Sequence, residues 1–423
     1  MKLFIRTTII LTVLLGLWGC ASQKDTGGSS LPALETAVPA EQQAANQDPK
    51  ASEKQPRIIE LGNGLQVEFK KDTMVLRGAD ITIALKDDSR VTQRLTDVKT
   101  VIVEGGVNAI GERAFSDAIY KDIESFEIGD SVESIGPEAF SGCTSLNRVT
   151  FGKNLRAIEK RAFEGCEALK DIDLENSVES IEDYAFSGCT KLQTVRIGQS
   201  LMKVGENIFS NCTSLETVTI GSSVPKKMFE NCTSLKTVNI REGVTTIGER
   251  AFFGCTALNT VELDGSLETI GERSFYSCTA LTTISIPKSV TSVGREAFSG
   301  CTALYRVTME HRGDAAPLVF EDHVFTNCTG ITEIEFVEGV ERIGARIFEG
   351  CENLSTIILP QSMTTMGERA FNGCENVLHV YFRGNGQDWQ KLAYKNSPDW
   401  DKGSNIKKSN ADWNTMLKIK YTG

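Results

Sequence analysis

Phenylalanines at positions 115, 140, 163, 186, 209, 229, 252, 275, 298, 325, 348 and 371 recur mostly every 23 residues. Eleven of the twelve cysteines stand three residues after one of them. Such phase-locking marks an internal repeat, which takes the place of domain counting. The unit at 235–255 gives the template Leu235-x-x-Val238-x-Ile240-x-x-x-Val244-x-x-Ile247-Gly248-x-x-Ala251-Phe252-x-x-Cys255. Its opening has the period-two spacing of a strand, and its Ile-Gly-x-x-Ala-Phe part reads as a turn leading into a short helical or 3-10 segment.

One unit cannot fold alone, because ordering each residue costs on the order of 1 to 2 kcal/mol and six apolar side chains per unit do not offset that. Stacked units share strand hydrogen bonds and close a continuous core. The spacing therefore predicts an α/β-type repeat solenoid over residues 98–382, with about twelve repeats. Thirteen parallel strands would form one long curved sheet on a concave face, with short helical or 3-10 turns and loops on the convex face. At about 4.8 Å per strand the array is on the order of 60 Å long, room for a protein-sized partner.

The opening L-x-x-L-x-L spacing resembles leucine-rich repeats generally. The Ala-Phe-x-x-Cys ending with Ile-Gly before it resembles the BspA-like, or treponemal, leucine-rich repeats of bacterial surface proteins, over roughly residues 95–390. Val380-Tyr381-Phe382-x-Gly384 followed by Trp389 is similar to that family's terminal repeat. The resemblance implies an adhesin-like mode of action toward host proteins, host cells or other bacteria, and it implies no single ligand.

The N-terminus carries Lys2 and Arg6, an apolar run from Thr8 to Trp18, and then Gly19-Cys20. Residues 1–19 read as a signal peptide, too short in its apolar core to span a bilayer. Leu17-Trp18-Gly19-Cys20 resembles a bacterial lipobox, with Cys20 as the lipidated residue. Ala21, where an Asp would favour retention, suits export to an outer membrane. Residues 20–57 read as a disordered, lipid-anchored tether, lacking aromatic residues and rich in Ala, Gln, Ser, Lys and Glu. Its r.m.s. reach is roughly 30 to 35 Å. The formal charge of -11 becomes more negative once Lys2 and Arg6 are removed. That balance argues against nucleic acid as a partner and leaves the lipid anchor as the only membrane attachment.

Residues 58–97 alternate apolar and polar at 65–69 and again at 81–85, and read as a strand-rich N-terminal cap. Residues 383–423 hold Trp389, Trp400 and Trp413 and read as a C-terminal cap, with a sugar-binding aromatic cluster as the alternative. Two units depart from the period. The unit at 212–232 is three residues short and predicts a tightened loop on the convex side. The unit at 301–328 is four residues long, with its extra length within 310–323, and predicts a projecting loop. That loop contains Arg312-Gly313-Asp314, which spells the integrin-binding tripeptide, although Gly-Asp before Ala-Ala-Pro is also ordinary turn chemistry.

Eleven in-phase cysteines in an exported chain raise the question of disulfides. Adjacent strands would bring their Cα atoms within disulfide range. The odd number, and Ala118 in the first unit, favour free buried thiols that pack as small hydrophobes. No C-x-x-C pair suggests a metal, and His311, His323 and His379 lie beside no catalytic motif. No cofactor, metal site or enzymatic activity is expected.

The residues between the inward apolar positions of each strand should line the concave sheet. Candidates for recognition are Glu127, Arg148, Asp171, Asp173, Arg196, Thr217, Thr219, Thr237, Asn239, Glu262, Arg306, Glu333 and Glu335. A polar stripe of mixed sign gives a partner orientation and specificity, whereas a threonine on a strand is also simply a good β-former. The double-acid pairs 171/173 and 333/335 stand out. The expected function is that of a surface-exposed lipoprotein binding a protein or cell-surface macromolecule through this face. A structural or assembly protein of the envelope, facing the periplasm, is the alternative.

Overall fold

A computed structural model describes residues 58–81, 85–174, 177–198, 200–377 and 379–395. The signal segment, Cys20 and the tether lie outside the described residues, as do Trp400 and Trp413. The repeat builds three parallel columns, each joined from unit to unit by backbone hydrogen bonds.

The first column is the expected strand face. In Thr237–Ile240 the side chains of Val238 and Ile240 are buried, while Thr237 and Asn239 are half-buried on the opposite side. This strand pairs in parallel with Thr217–Ile220 and Thr260–Glu262, each residue beside its equivalent. A one-residue slip would carry every apolar side chain to the outside, so the alternation fixes the register. The thirteen strands run from Thr100–Val103 to His379–Phe382. They do not form the single sheet expected. The ladder breaks after Arg148–Thr150, after Thr260–Glu262 and after Arg306–Met309, leaving four sheets in series.

The second column corrects the reading of the Ile-Gly segment as a turn. Two-residue strands such as Thr246–Ile247, Thr269–Ile270 and Ser292–Val293 pair in parallel along the opposite side of the core. This ladder is interrupted at the short unit, between Lys203–Val204 and Thr246–Ile247. There Val224 keeps a single bridge to Ile247, and Pro225, with no N–H, cannot extend it.

The third column consists of turns. The residue two before every phenylalanine of the column has a positive φ of 52–61°, Arg250 among them, and Gly254 two residues after Phe252 is at 72°. Two left-handed residues within five prevent a helix from propagating. The helical segments expected here are therefore turns, apart from the 3-10 turn Ala118–Tyr120 in the first unit. The same geometry aims N–H groups along the array. Arg250, Phe252 and Gly254 donate to the carbonyls of Glu272, Ser274 and Tyr276 in the next unit, at 2.8, 2.8 and 2.9 Å.

The twelve phenylalanines lie under these turns as one unbroken stack. Successive ring centroids are 4.8–5.7 Å apart with interplanar angles of 2–12°. The eleven in-phase cysteines are free and buried. Each thiol donates to the carbonyl of the phenylalanine in the unit before it, at 3.0–3.3 Å. Ala118 stands at the corresponding position of the first unit, which has no phenylalanine of the column before it.

At the N-terminal end Gln66–Lys70 is a strand, as the alternation predicts, while 82–84, the middle of the second alternating stretch, lie outside the described residues. Ile81 forms a single bridge to Ile110 and Leu85 opens a 3-10 turn. The neighbouring strand Thr73–Arg77 pairs in parallel with Thr100–Val103, so the strand face begins one strand earlier than the repeat spacing indicates. At the other end Asn385 accepts from the N–H groups of Gln387 and Asp388 and starts the helix Gly386–Lys395. Trp389 is buried against Phe382, with centroids 5.5 Å apart, so its ring is not open to a sugar.

Candidate interaction face

Ion pairs join charged side chains of successive units on the turn side, and five charged side chains of the strand face have none among the described residues. On the turn side, several charges pair from unit to unit. Arg113 meets Glu138 at 2.6 Å, Lys226 meets Glu249 at 2.9 Å, and Arg273 meets Glu296 at 2.7 Å. The guanidinium of Arg273 holds the Glu296 carboxyl below its usual range, as expected for a carboxylate beside a fixed cation.

The strand face is different. Glu127, Arg148, Glu262, Arg306 and Glu333 are exposed, and among the described residues no ion pair holds any of them. The remaining charged candidates are engaged locally. Asp171 accepts from the Thr194 hydroxyl, Arg196 lies 3.8 Å from Asp173, and Arg383 donates to Glu335. Thr217 is exposed, while Thr219, Thr237 and Asn239 are half-buried in the middle of the face. All thirteen candidates thus lie in one column, on strands whose alternate residues enter the core.

Two of the breaks in the strand face open into grooves. One, of about 400 Å³, lies between Arg148–Thr150 and Asp171–Leu174, lined by Thr150, Phe151, Lys153 and Asp173 among others. The other, of about 460 Å³, lies between Arg306–Met309 and Glu333–Glu335 and includes Tyr305, Arg306, Met309 and Glu335. Tyr305 is 56% exposed, one of few large apolar side chains to be so. The double-acid pairs each begin the strand that follows a break. Sequence reasoning selected those acids but missed Tyr305, Phe151 and Lys153, because only the breaks give them a shared space.

The Arg-Gly-Asp loop projects only in part. Gly313 and Asp314 are exposed, but Arg312 is 3% exposed. It donates to the carbonyl of Ala316 and lies against Gly339, where a Cβ would come within 2.9 Å of its Cδ. Desolvation lowers the pKa of its guanidinium.

Burial has the opposite sign for the thiols. It pushes Cys143 and Cys255 up to about 12 and holds Cys166 and Cys232 well above the usual thiol range, so they are protonated at neutral pH and poor nucleophiles. Among the described residues no group of three or more His, Cys, Asp or Glu could hold a metal ion. No described helix is long and apolar enough to cross a membrane.

Comparison with curated proteins returns no match. Several solved structures resemble the chain, each with a TM-score below 0.5. A leucine rich cell surface protein from Faecalibacterium prausnitzii is 26% identical over 80% of this chain and 98% of its own, with a TM-score of 0.41. A leucine-rich repeat protein from Bacteroides ovatus is 24% identical over 76% and 94%, with a TM-score of 0.47. The pneumococcal vaccine antigen PcpA is 18% identical over 84% and 99%, with a TM-score of 0.38. The profile of the BspA type leucine rich repeat region matches residues 108–226, 222–313 and 318–411. With most of the chain so matched and eleven of the twelve units closed by the same phenylalanine and cysteine, the protein belongs to the BspA type leucine-rich-repeat family.

Proposed function

We propose that this chain is a surface-exposed bacterial lipoprotein that binds host or bacterial macromolecules through the strand face of its solenoid, taken as the concave side. The observation that carries this reading is the contrast in charge pairing. Turn-side pairs such as Arg113–Glu138, Lys226–Glu249 and Arg273–Glu296 join successive units, whereas Glu127, Arg148, Glu262, Arg306 and Glu333 are left exposed without an ion pair among the described residues. Such charges meet a partner without first breaking an internal bridge.

In this reading residues 1–19 are removed, Cys20 carries the lipid in the outer membrane, and residues 20–57 hold the binding part off the bilayer. Residues 58–97 and 383–423 cap the array at 98–382 against strand addition at its ends.

Biosensor and solid-phase binding of the purified mature protein to host matrix proteins and epithelial cells tests the proposal. Reversing charge at Glu127, Arg148, Arg306 and Glu333 together should weaken binding at least about tenfold, while reversing Arg113 and Glu138 on the turn side should leave it unchanged. A folded protein that binds none of these probes would count against the reading.

A further inference from the structure

Of the thirteen strands of the face, Thr237–Ile240 is the seventh. The two grooves lie symmetrically about it, one between the third and fourth strands and the other between the tenth and eleventh. The charges beside them follow the same symmetry. Arg148 opens the third strand and Asp171 the fourth, while Arg306 opens the tenth and Glu333 the eleventh. All four are exposed, and among the described residues no ion pair holds any of them. Asp171 accepts a hydrogen bond from the Thr194 hydroxyl, which leaves its charge unmatched.

This order of charges is complementary to itself. A second copy can be laid against the face with a two-fold axis along the seventh strand, which keeps the strand direction and reverses the order of the strands. The third strand then faces the eleventh of the second copy, and the fourth faces the tenth. Arg148 meets Glu333 of the second copy and Asp171 meets its Arg306, each at the first residue of its strand. A two-fold interface is isologous, so both contacts form twice. Each groove faces the other groove of the second copy. Tyr305, exposed beside the second groove, comes against the fourth strand of the second copy, at the edge of its first groove.

Neighbouring arrangements bring like charges together. A slip of one strand sets Arg148 on Arg306 in one direction and Asp171 on Glu333 in the other. A two-fold axis along the array instead of along the strand sets Arg148 on Arg148 and Glu333 on Glu333. Such juxtapositions oppose association and so select the register. Residues at the axis must tolerate their own copies, and Thr237 and Asn239, which stand there, are uncharged. Thr217 faces Thr260 beside them. Two concave faces touch toward their ends rather than at their centres, and the four charges stand toward the ends.

We infer that the strand face binds a second copy of this chain, face to face about a two-fold axis along Thr237–Ile240, through Arg148–Glu333 and Asp171–Arg306 pairs. This rests on the strand face being the binding surface, and it names the partner.

The test is sedimentation equilibrium of the purified mature chain carrying Cys20→Ser, so that no lipid drives association. The parent should dimerise. Arg148→Glu sets acid against acid, and Glu333→Arg sets cation against cation, so each variant alone should dimerise at least about tenfold more weakly, with its thermal unfolding unchanged. Mixed together, the two variants oppose unlike charges at both contacts and should associate with each other. The chain carrying both substitutions should dimerise as the parent does. A monomeric parent, single variants that dimerise as the parent does, or single variants that stay apart when mixed overturn the inference. A monomer that binds a host protein through the strand face would overturn it while sparing the function proposed above. A folded chain that neither self-associates nor binds any host probe would remove both.

Discussion

The thiol of Cys255 donates to the carbonyl of Phe229 across 3.2 Å, and the same carbonyl accepts the N–H of Cys232. One oxygen thus closes its own turn and also ties it to the next unit. The cysteine column is a row of side-chain donors between units as well as small apolar filler.

Truncating one of these thiols removes a weak hydrogen bond and leaves a small void. Cys255→Ala should cost about 1 to 2 kcal/mol, read as a lower urea midpoint with the slope unchanged. Dithionitrobenzoate should leave the eleven buried thiols unmodified in the native protein and react with them on unfolding. Rapid native reaction would contradict their burial.

The thiols also predict an alkaline limit. In the unfolded chain they ionise near pH 8.5, whereas in the fold burial holds Cys143 and Cys255 up to about 12. Below pH 8.5 both states keep the proton and stability is unaffected. Above it the unfolded state releases protons first, so stability falls as pH rises toward 12, by about 1.4 kcal/mol per thiol per pH unit. Urea midpoints should drop steeply between pH 8.5 and 10. Replacing several of these cysteines by alanine should flatten that slope.

Glu296 behaves in the opposite sense. Its carboxyl is held low first by Arg273 and then by Arg295, so its contribution is present above the unfolded carboxyl range and is lost as pH falls through its folded value. Glu296→Gln should destabilise by about 0.5 to 1 kcal/mol at pH 7 and by nothing measurable at pH 2. Denaturation of the two proteins at both pH values checks this, and an equal deficit at both would contradict it.

The ring stack makes the array cooperative through its centre. Phe252 stacks on Phe229 at 5.4 Å and on Phe275 at 5.2 Å, so Phe252→Ala removes a link in both directions. It should cost about 3 to 5 kcal/mol and split unfolding into two transitions, as expected of a nearest-neighbour array whose middle joint is weakened. Phe371→Ala, at the end of the stack, should leave one transition.

Much of this architecture was legible because the repeat states its period twice, in Phe252 and again in Cys255. The inward alternation of Val238 and Ile240 likewise announced the strand face. Two-residue strands such as Thr246–Ile247 are too short to show a period, so the second ladder was hidden. A charged residue such as Arg250 carries no sign of a left-handed backbone, so the turns read as helical. Thr150 and Thr308 look like any other strand position, and only the coordinates place breaks beside them. Arg312 was legible as part of a loop motif, but its burial against Gly339 depends on a residue 27 positions away.

Anchoring through Cys20 has its own test. Cys20→Ser should abolish incorporation of labelled palmitate and move the protein from the detergent phase to the aqueous phase on Triton X-114 partition. Unchanged partition would rule out the lipid anchor.

Surface exposure is the condition on which the binding role depends, and protease shaving of intact cells measures it directly. The account predicts that added protease removes the solenoid from whole cells while a periplasmic control stays intact. A chain protected until the outer membrane is opened would contradict it and favour a role inside the envelope.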